Sequence, residues 1–144
     1  MLSGYPFVHR VEVRFRDLDA MGHVNNAVFL TYVESARVAY WLKLRGRAGL
    51  KDMDLILART EIDYRSPLNF GETAEIGLRI AELGRSSFVI EFVMLEGATH
   101  RLVAQGRNVL VYYDYAAGRT AALPDELRAA LLLQSTAASV PKAE

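Results

Sequence analysis

Six residues suited to acid–base chemistry or to close contact with a ligand fall within ten consecutive positions near the start of the chain. They are Asp17, Asp19, Gly22, His23, Asn25 and Asn26. No other segment of the sequence places two carboxylates, a histidine and a glycine directly before a predicted helix. A helix N-terminus presents unpaired N–H groups and partial positive charge, which stabilise a developing oxyanion. A carboxylate held beside it could act as a nucleophile or as a general base on water.

The same cluster also has a purely structural interpretation. Asp17 and Asp19 suit a turn and a helix cap, and His23 suits a polar loop. Gly22 would let the backbone come close to a ligand, but glycine is equally common in turns. Residue types alone favour the structural interpretation, so a catalytic role needs support from the rest of the sequence.

Length, charge and cysteine content exclude several functional classes. The chain has 144 residues, which predicts one domain, and its 51% hydrophobic and 24% charged residues are typical of a folded globular protein. Seventeen basic residues balance seventeen acidic ones. This neutrality argues against nucleic-acid or anionic-membrane binding, because both require a concentrated positive field. The absence of cysteine excludes disulfides, a thiol nucleophile and cysteine-ligated zinc or iron–sulfur sites.

Targeting and membrane segments are not recognisable in the sequence. The first residues lack a basic stretch followed by an apolar core, so no secretory signal is predicted. The longest nearly apolar stretch covers residues 27–44, but Glu34, Arg37 and Lys43 interrupt it. We therefore expect a cytoplasmic protein that does not span a membrane.

Hydrophobic periodicity predicts one strand, one long helix and four further strands. Alternation predicts the first strand over residues 7–15, with Val11, Val13 and Phe15 on its buried face. A helix that is apolar nearly all round, and therefore buried, is predicted from Asn25 or Asn26 to about Gly46. The later strands and a short final helix are predicted at 54–64, 73–83, 87–95, 101–115 and 124–133. Residues 1–133 are assigned to the single domain and 134–144 to a flexible C-terminal tail.

This order predicts an α+β fold with a five-stranded antiparallel sheet curled around one long central helix. Three of the last connections are short enough for antiparallel hairpins. Such a sheet leaves its edges open, and chains of this kind close them by pairing with a second copy. We expect a homodimer that assembles further into a homotetramer.

The loop and the helix together resemble a known signature. Residues 17–26 read D-L-D-A-M-G-H-V-N-N, and the aromatic-rich helix that follows carries E-S-A-R at residues 34–37. This pattern closely resembles the 4-hydroxybenzoyl-CoA thioesterase-like branch of the hotdog-fold superfamily. The runs Y-R-S-P at 64–67, F-G-E at 70–72 and G-R-S-S-F at 84–88 occur in the order typical of that family. The resemblance covers residues 7–115.

Membership of this family would imply hydrolysis of an acyl- or aroyl-CoA thioester. The position that matches the family's catalytic aspartate is Asp19, as nucleophile or general base, with Asp17 at most in support. His23 and Asn25 would orient the carbonyl or the water. Backbone N–H groups near Val24, Asn25 and Asn26 would polarise the thioester oxygen.

The resemblance also suggests how the rest of the substrate is bound. Guanidinium groups bind phosphate in a bidentate manner, so arginines near turns are expected to meet the phosphates of coenzyme A. The candidates are Arg65, Arg85, Arg101 and Arg107, of which the loop arginine Arg85 is preferred. The substrate-binding residues expected overall are Gly22, Val24, Tyr32, Glu34, Arg65, Pro67, Arg85 and Ser86. No metal and no cofactor are expected, since coenzyme A enters as part of the substrate.

Three alternatives remain open from the sequence. Glu34 could be the working carboxylate, as in relatives that carry it on the central helix, although a buried ion pair with Arg37 is the favoured interpretation. The thiol carrier could be an acyl carrier protein, for which a broad basic rim around the site would be expected. The protein could also bind acyl-CoA without hydrolysing it.

Overall fold

A twenty-residue helix, α1 (Asn26–Arg45), is the central element of the molecule. The computed structural model describes residues 2–46, 49 and 53–135. Asn25 is the N-cap of α1, and Gly46 ends the helix in the left-handed conformation, with φ of 61°. These ends confirm the predicted helix.

An antiparallel sheet curls around α1. Its strands are β1 (Phe7–Glu12), β2 (Leu55–Tyr64), β3 (Thr73–Leu83), β4 (Ser87–Glu96) and β5 (Leu102–Asp114). The strand order is β1-β3-β4-β5-β2, and a two-residue strand, β6 (Arg119–Thr120), pairs with the end of β5. A second helix, α2 (Asp125–Leu133), follows. The predicted α+β fold is confirmed, whereas β6 was not predicted.

The connection between β2 and β3 is not the hairpin that the sequence predicted. β2 pairs only with β5 at one edge of the sheet, and β3 lies three strands away between β1 and β4. Three strand spacings are about 14 Å, which the eight residues 65–72 can cross easily. Along its path Leu68 accepts a hydrogen bond from Val24 N–H at 2.8 Å. The crossing therefore brings the end of β2 beside the start of α1.

The first strand is shorter than its alternating pattern predicts. β1 ends at Glu12, and Phe15 begins a short 3₁₀ turn (Phe15–Asp17). Phe15 was expected on the buried face but is 79% exposed, where its ring packs edge-on against Phe70. The cause is local, because the side chain of Asp17 accepts the N–H of Arg14 and turns the chain away from the sheet.

The core forms between α1 and the inner face of the sheet. Trp41 stacks on Phe88 with 5.5 Å between ring centroids, and Tyr40 stacks on Phe7 at 4.8 Å. The residues predicted to face inward from β3 and β4 are all buried. They are Ala74, Ile76, Leu78, Ile80, Phe88, Ile90, Phe92 and Met94.

One flank of α1 is open, although the helix was expected to be buried on nearly all sides. Leu30, Thr31, Glu34 and Ser35 are exposed on this flank, while Phe29, Val33 and Ala36 face the core. The open flank lies on the side of the edge strand β2.

At the C-terminal end, Gln134 accepts a hydrogen bond from the hydroxyl of Tyr40. Residues 136–144 of the expected tail lie outside the described residues, so the domain boundary stays a prediction. Neither helix in the described ranges is long and apolar enough to cross a membrane.

Candidate active site

The loop before α1 is held in place by the buried carboxylate of Asp17. Its side chain, 3% exposed, accepts the backbone N–H and the guanidinium of Arg14, both at 2.9 Å. It also accepts the hydroxyl of Tyr32, which reaches back from the second turn of α1. The backbone carbonyl of Asp17 accepts Asn25 N–H at 3.0 Å. Asp17 thus ties the start of the loop to both the helix and the helix cap.

These contacts change the acidity of both partners. Burial alone would raise the pKa of Asp17, but hydrogen bonds from Arg14 and Tyr32 outweigh it and hold the pKa below its ordinary value. For Tyr32, burial and the neighbouring carboxylate raise the pKa well above that of a free tyrosine. At neutral pH Asp17 is therefore an ionised carboxylate that accepts a hydrogen bond from the neutral phenol of Tyr32.

Asp19 occupies a different position in the same loop. Its Oδ1 accepts Met21 N–H at 2.9 Å, and its Oδ2 accepts the side-chain amide of Asn25 at 3.2 Å. Its carbonyl accepts Gly22 N–H at 3.0 Å, and Gly22 has the positive φ of 87° that this tight turn requires. The side chain is only partly buried, so its carboxylate can reach a ligand.

Asn25 links this carboxylate to the helix start. Its Oδ1 caps Ala27 N–H at 2.9 Å while its Nδ2 donates to Asp19. Of the three backbone N–H groups expected to polarise the thioester oxygen, only one is free in the described part of the chain. Val24 N–H and Asn25 N–H already donate to Leu68 and Asp17, whereas Asn26 N–H donates to no acceptor within the described residues. Asn26 is the first residue of α1, where a helix leaves an N–H free.

A cleft of about 370 Å³ opens beside Asn26. Its wall comes from the loop, the first turn of α1 and the segment that leaves β2. The lining residues are Asp19, Met21, His23, Val24, Asn26, Phe29, Tyr64, Arg65, Ser66 and Pro67. A partly exposed carboxylate and a free helix N–H thus share one mainly apolar cleft, which suits attack on a carbonyl carbon.

Six of the twelve predicted site residues line this cleft. Gly22 and Asn25 lie in the adjoining loop and helix cap, where each bonds to Asp19, and the other four do not line the cleft. Tyr32 is buried on Asp17 and does not reach the cleft surface. Arg85 and Ser86 lie in the β3–β4 turn, where Gly84 N–H closes the hairpin on Ser87. Glu34 lines a separate depression.

That second depression, of about 160 Å³, lies between the open flank of α1 and β2. Glu34 and Arg37 approach to 3.7 Å, but the side chain of Glu34 is 65% exposed and that of Arg37 only 10%. The expected buried pair is therefore wrong for Glu34. Arg37 instead donates to Asn108 at 3.2 Å, deep between the helix and the sheet.

Two of the four arginines predicted to bind phosphate instead form ion pairs with glutamates. Arg101 binds Glu72 at 2.9 Å and also donates to the carbonyl of Pro67, which fixes the crossing segment. Arg107 forms an ion pair with Glu82. Arg65 remains at the cleft, with a loose 3.6 Å contact to Asp63 and a half-exposed side chain. Arg85 forms no ion pair with any described residue.

Four residues that line the cleft were not predicted as site residues. They are Met21, Phe29, Tyr64 and Ser66. Tyr64 and Ser66 belong to the Y-R-S-P run from which only Arg65 and Pro67 were selected. The Y-R-S-P run could have indicated all four residues, because a segment that crosses the helix start places successive residues beside it.

Comparison with protein families identifies the relatives of this chain. The family model described as the thioesterase-like superfamily matches residues 13–131. A long-chain acyl-CoA thioesterase of Escherichia coli is 27% identical over 124 residues, 83% of this chain and 92% of that protein. A 1,4-dihydroxy-2-naphthoyl-CoA hydrolase of Synechococcus elongatus is 27% identical over 81% of this chain and 88% of its own length.

Solved structures give the same result. A thioesterase from Thermus thermophilus, crystallised with coenzyme A and zinc, is 39% identical with a TM-score of 0.82, over 92% of this chain and 96% of that one. A thioesterase-superfamily protein from Jannaschia is 27% identical with a TM-score of 0.81, over 92% and 84%. The predicted hotdog fold is confirmed. Within the described ranges no three acidic, histidine or cysteine side chains are grouped to hold a metal ion.

Replacing the buried carboxylate should destabilise the fold in a pH-dependent way. Because the pKa of Asp17 is lowered in the folded state, its charge stabilises the protein above the unfolded pKa of about 3.9. That contribution to stability is lost as the pH falls through the pKa that Asp17 has in the folded protein. We expect Asp17→Asn to lower the free energy of unfolding by about 2 kcal/mol at pH 7, with a smaller difference below pH ~4.

Urea unfolding at pH 7 and at successively lower pH values measures this difference. Asp63→Asn, at an exposed carboxylate with only a loose ion pair, is the matched control and should change stability little at any pH. An Asp17→Asn protein as stable as wild type at pH 7 would show that this carboxylate does not hold the loop.

Proposed function

Because the chain belongs to the thioesterase-like superfamily and is a thioester hydrolase, we propose that it hydrolyses acyl-CoA to the free acid and coenzyme A. Asp19 is the catalytic carboxylate, and Asn26 N–H polarises the thioester carbonyl. The observation that carries this proposal is the double role of Asn25, which caps α1 and donates to Asp19. One side chain thereby sets the carboxylate beside the free N–H of the helix.

Two routes fit this arrangement. In the general-base route, Asp19 takes a proton from water as the water oxygen bonds to the thioester carbon. The oxyanion that forms accepts from Asn26 N–H, and its collapse breaks the C–S bond. The proton on Asp19 then passes to the departing thiolate.

In the nucleophilic route, a carboxylate oxygen of Asp19 bonds directly to the thioester carbon, and the thiolate of coenzyme A leaves and takes a proton from solvent. The resulting mixed anhydride is hydrolysed by water, which restores the carboxylate. Label in the protein after a single turnover in ¹⁸O-labelled water would identify this route, because hydrolysis of the anhydride at the Asp19 carbonyl incorporates the label there.

The substrate class follows from the relatives and from the cleft. The Escherichia coli and Synechococcus relatives are named for an acyl-CoA and an aroyl-CoA. The cleft wall of Met21, Phe29, Tyr64 and Pro67 suits an apolar arm or acyl group, and Arg65 at the cleft can meet a phosphate. His23 lines the cleft close to Asp19, where it can orient the carbonyl or the water.

Charge at the cleft favours coenzyme A over an acyl carrier protein as the thiol carrier. A carrier protein would be met by a broad basic rim, but the ionisable residues that line this cleft are Asp19, His23 and Arg65. Arg101, which lies close by, is neutralised by Glu72. Among the described residues that line the cleft, Arg65 is therefore a single local cation, which suits a small anionic ligand better than a carrier protein.

Replacing Asp19 should abolish turnover. With a panel of short, long and aromatic acyl-CoAs, we expect wild type to release free coenzyme A from at least one member. Asp19→Asn should reduce kcat by about 10²-fold or more, because the amide can neither attack nor accept a proton. Asp125→Asn, at an exposed carboxylate on α2, should leave the rate unchanged.

Three other outcomes would contradict parts of this proposal. Binding of acyl-CoA without hydrolysis by wild type would identify a binding protein, and turnover of acyl carrier protein substrates alone would identify a different carrier. An active Asp19→Asn together with an inactive Glu34→Gln would show that the helix carboxylate does the work.

We also infer that the protein is a homodimer formed through β2, which can pair further into a homotetramer. β2 is an edge strand with one side unpaired, and Ile56 and Leu57 are exposed along it. An exposed apolar edge favours pairing with a second strand. A copy paired antiparallel along β2 would lie next to Tyr64 and Arg65, close to the cleft.

Light scattering tests this assembly. Wild type should have twice, or four times, the 16.1 kDa mass of one chain. Leu57→Glu should give single chains, because it places like charges near each other on the paired strands. Val8→Glu is the matched control, with the same 42% exposure on the opposite edge strand, and should not change the mass. A monomeric wild type would contradict the inference.

A further inference from the structure

Tyr64 joins the edge strand to the first residue of the helix. It is the last residue of β2, and its hydroxyl donates to the backbone carbonyl of Asn26 at 2.9 Å. Its ring packs edge-on against Phe29, with 5.5 Å between centroids. The side chain is nevertheless 44% exposed and forms part of the cleft wall.

The Tyr64 hydrogen bond is not needed to satisfy the helix backbone. A carbonyl in the first turn of a helix accepts the N–H four residues later, and its oxygen has a second lone pair to spare. The phenol of Tyr64, being partly exposed, could equally donate to water. The role of this hydrogen bond is therefore to fix the first turn of α1 against the end of β2.

We propose that Tyr64 is a positioning residue for the oxyanion donor, an inference that rests on the function proposed above. The free N–H and the bonded carbonyl belong to the same residue, Asn26, so a rotation of the first turn would displace both. Asn25 holds this turn to Asp19 on one side, and Tyr64 holds it to the sheet on the other. A displacement of about 1 Å in a catalytic group can cost about 10²-fold in rate.

The same chain offers a closely matched control. The hydroxyl of Tyr115 donates to the backbone carbonyl of Leu55 at 2.9 Å, and Tyr115 is also exposed, at 60%. Leu55 is the first residue of β2 and Tyr64 the last. Tyr64→Phe and Tyr115→Phe thus each delete one phenol-to-carbonyl bond, at opposite ends of the same strand, and each keeps the ring.

The experiment measures catalysis and local opening in the full-length protein. We expect Tyr64→Phe to lower kcat for acyl-CoA by about 10- to 100-fold, with KM within about two-fold because the ring still forms the wall. Amide hydrogen exchange at Ala27 and Val28 should become about five-fold faster. Tyr115→Phe should change neither quantity.

Three results would each overturn the inference. The first is equal kcat in the two variants, and the second is a Tyr64→Phe effect on KM alone, which would make Tyr64 a substrate-binding residue only. The third is unchanged amide exchange in Tyr64→Phe. Hydrogen exchange separates these failures from a failure of the proposed function. If wild type hydrolyses no acyl-CoA, the function fails, whereas unchanged exchange at Ala27 and Val28 in Tyr64→Phe overturns the positioning role by itself.

Discussion

The site depends on one buried interaction, the hydrogen bond from the hydroxyl of Tyr32 to the carboxylate of Asp17. It joins the loop to the second turn of α1, and the carbonyl of the same aspartate receives Asn25 N–H. Asp19, two residues further on, is left partly exposed and bonded to Asn25. The two acids of one D-x-D motif therefore have separate tasks: the first fixes the loop and the second faces the cleft.

The crossing from β2 to β3 supplies the other half of the cleft. Since β2 lies at the sheet edge beyond β5, residues 65–72 must pass the start of α1 to reach β3. Val24 and Arg101 hold this segment through Leu68 and Pro67. Topology, rather than proximity in sequence, brings Tyr64 and Pro67 to face Asp19. The same placement leaves β2 unpaired on one side, next to the site.

The sequence was sufficient to predict the elements and the family, but only part of the site. Sequence patterns located α1 and all five strands β1 to β5, because an element that buries one face repeats its apolar residues with the period of that element. The pairing partner of β2 could not be read, since a loop of eight residues permits both a hairpin and a crossing. The 3₁₀ turn at Phe15 was missed because the cause is a side-chain contact of Asp17, which alternation does not reveal.

Within the site, the resemblance predicted roles for Asp19 and the helix start, but it did not indicate which N–H groups are free. That distinction depends on long-range partners, namely Leu68 for Val24 and Asp17 for Asn25. Tyr32 and Glu34 were assigned to the substrate because both stand on the helix near the motif. Helical geometry instead directs Tyr32 to Asp17, and it leaves Glu34 on the open flank beside a different depression.

The central claim is that the thioester carbonyl binds at the start of α1 between Asp19 and Asn26. A crystal structure with a non-hydrolysable acyl-CoA analogue, in which a methylene group separates the carbonyl from sulfur, tests this claim most directly. The account predicts the analogue's carbonyl oxygen at about 2.7–3.1 Å from Asn26 N, with the Asp19 carboxylate facing the carbonyl carbon. A carbonyl bound instead in the depression of Glu34 and Arg37 would contradict it.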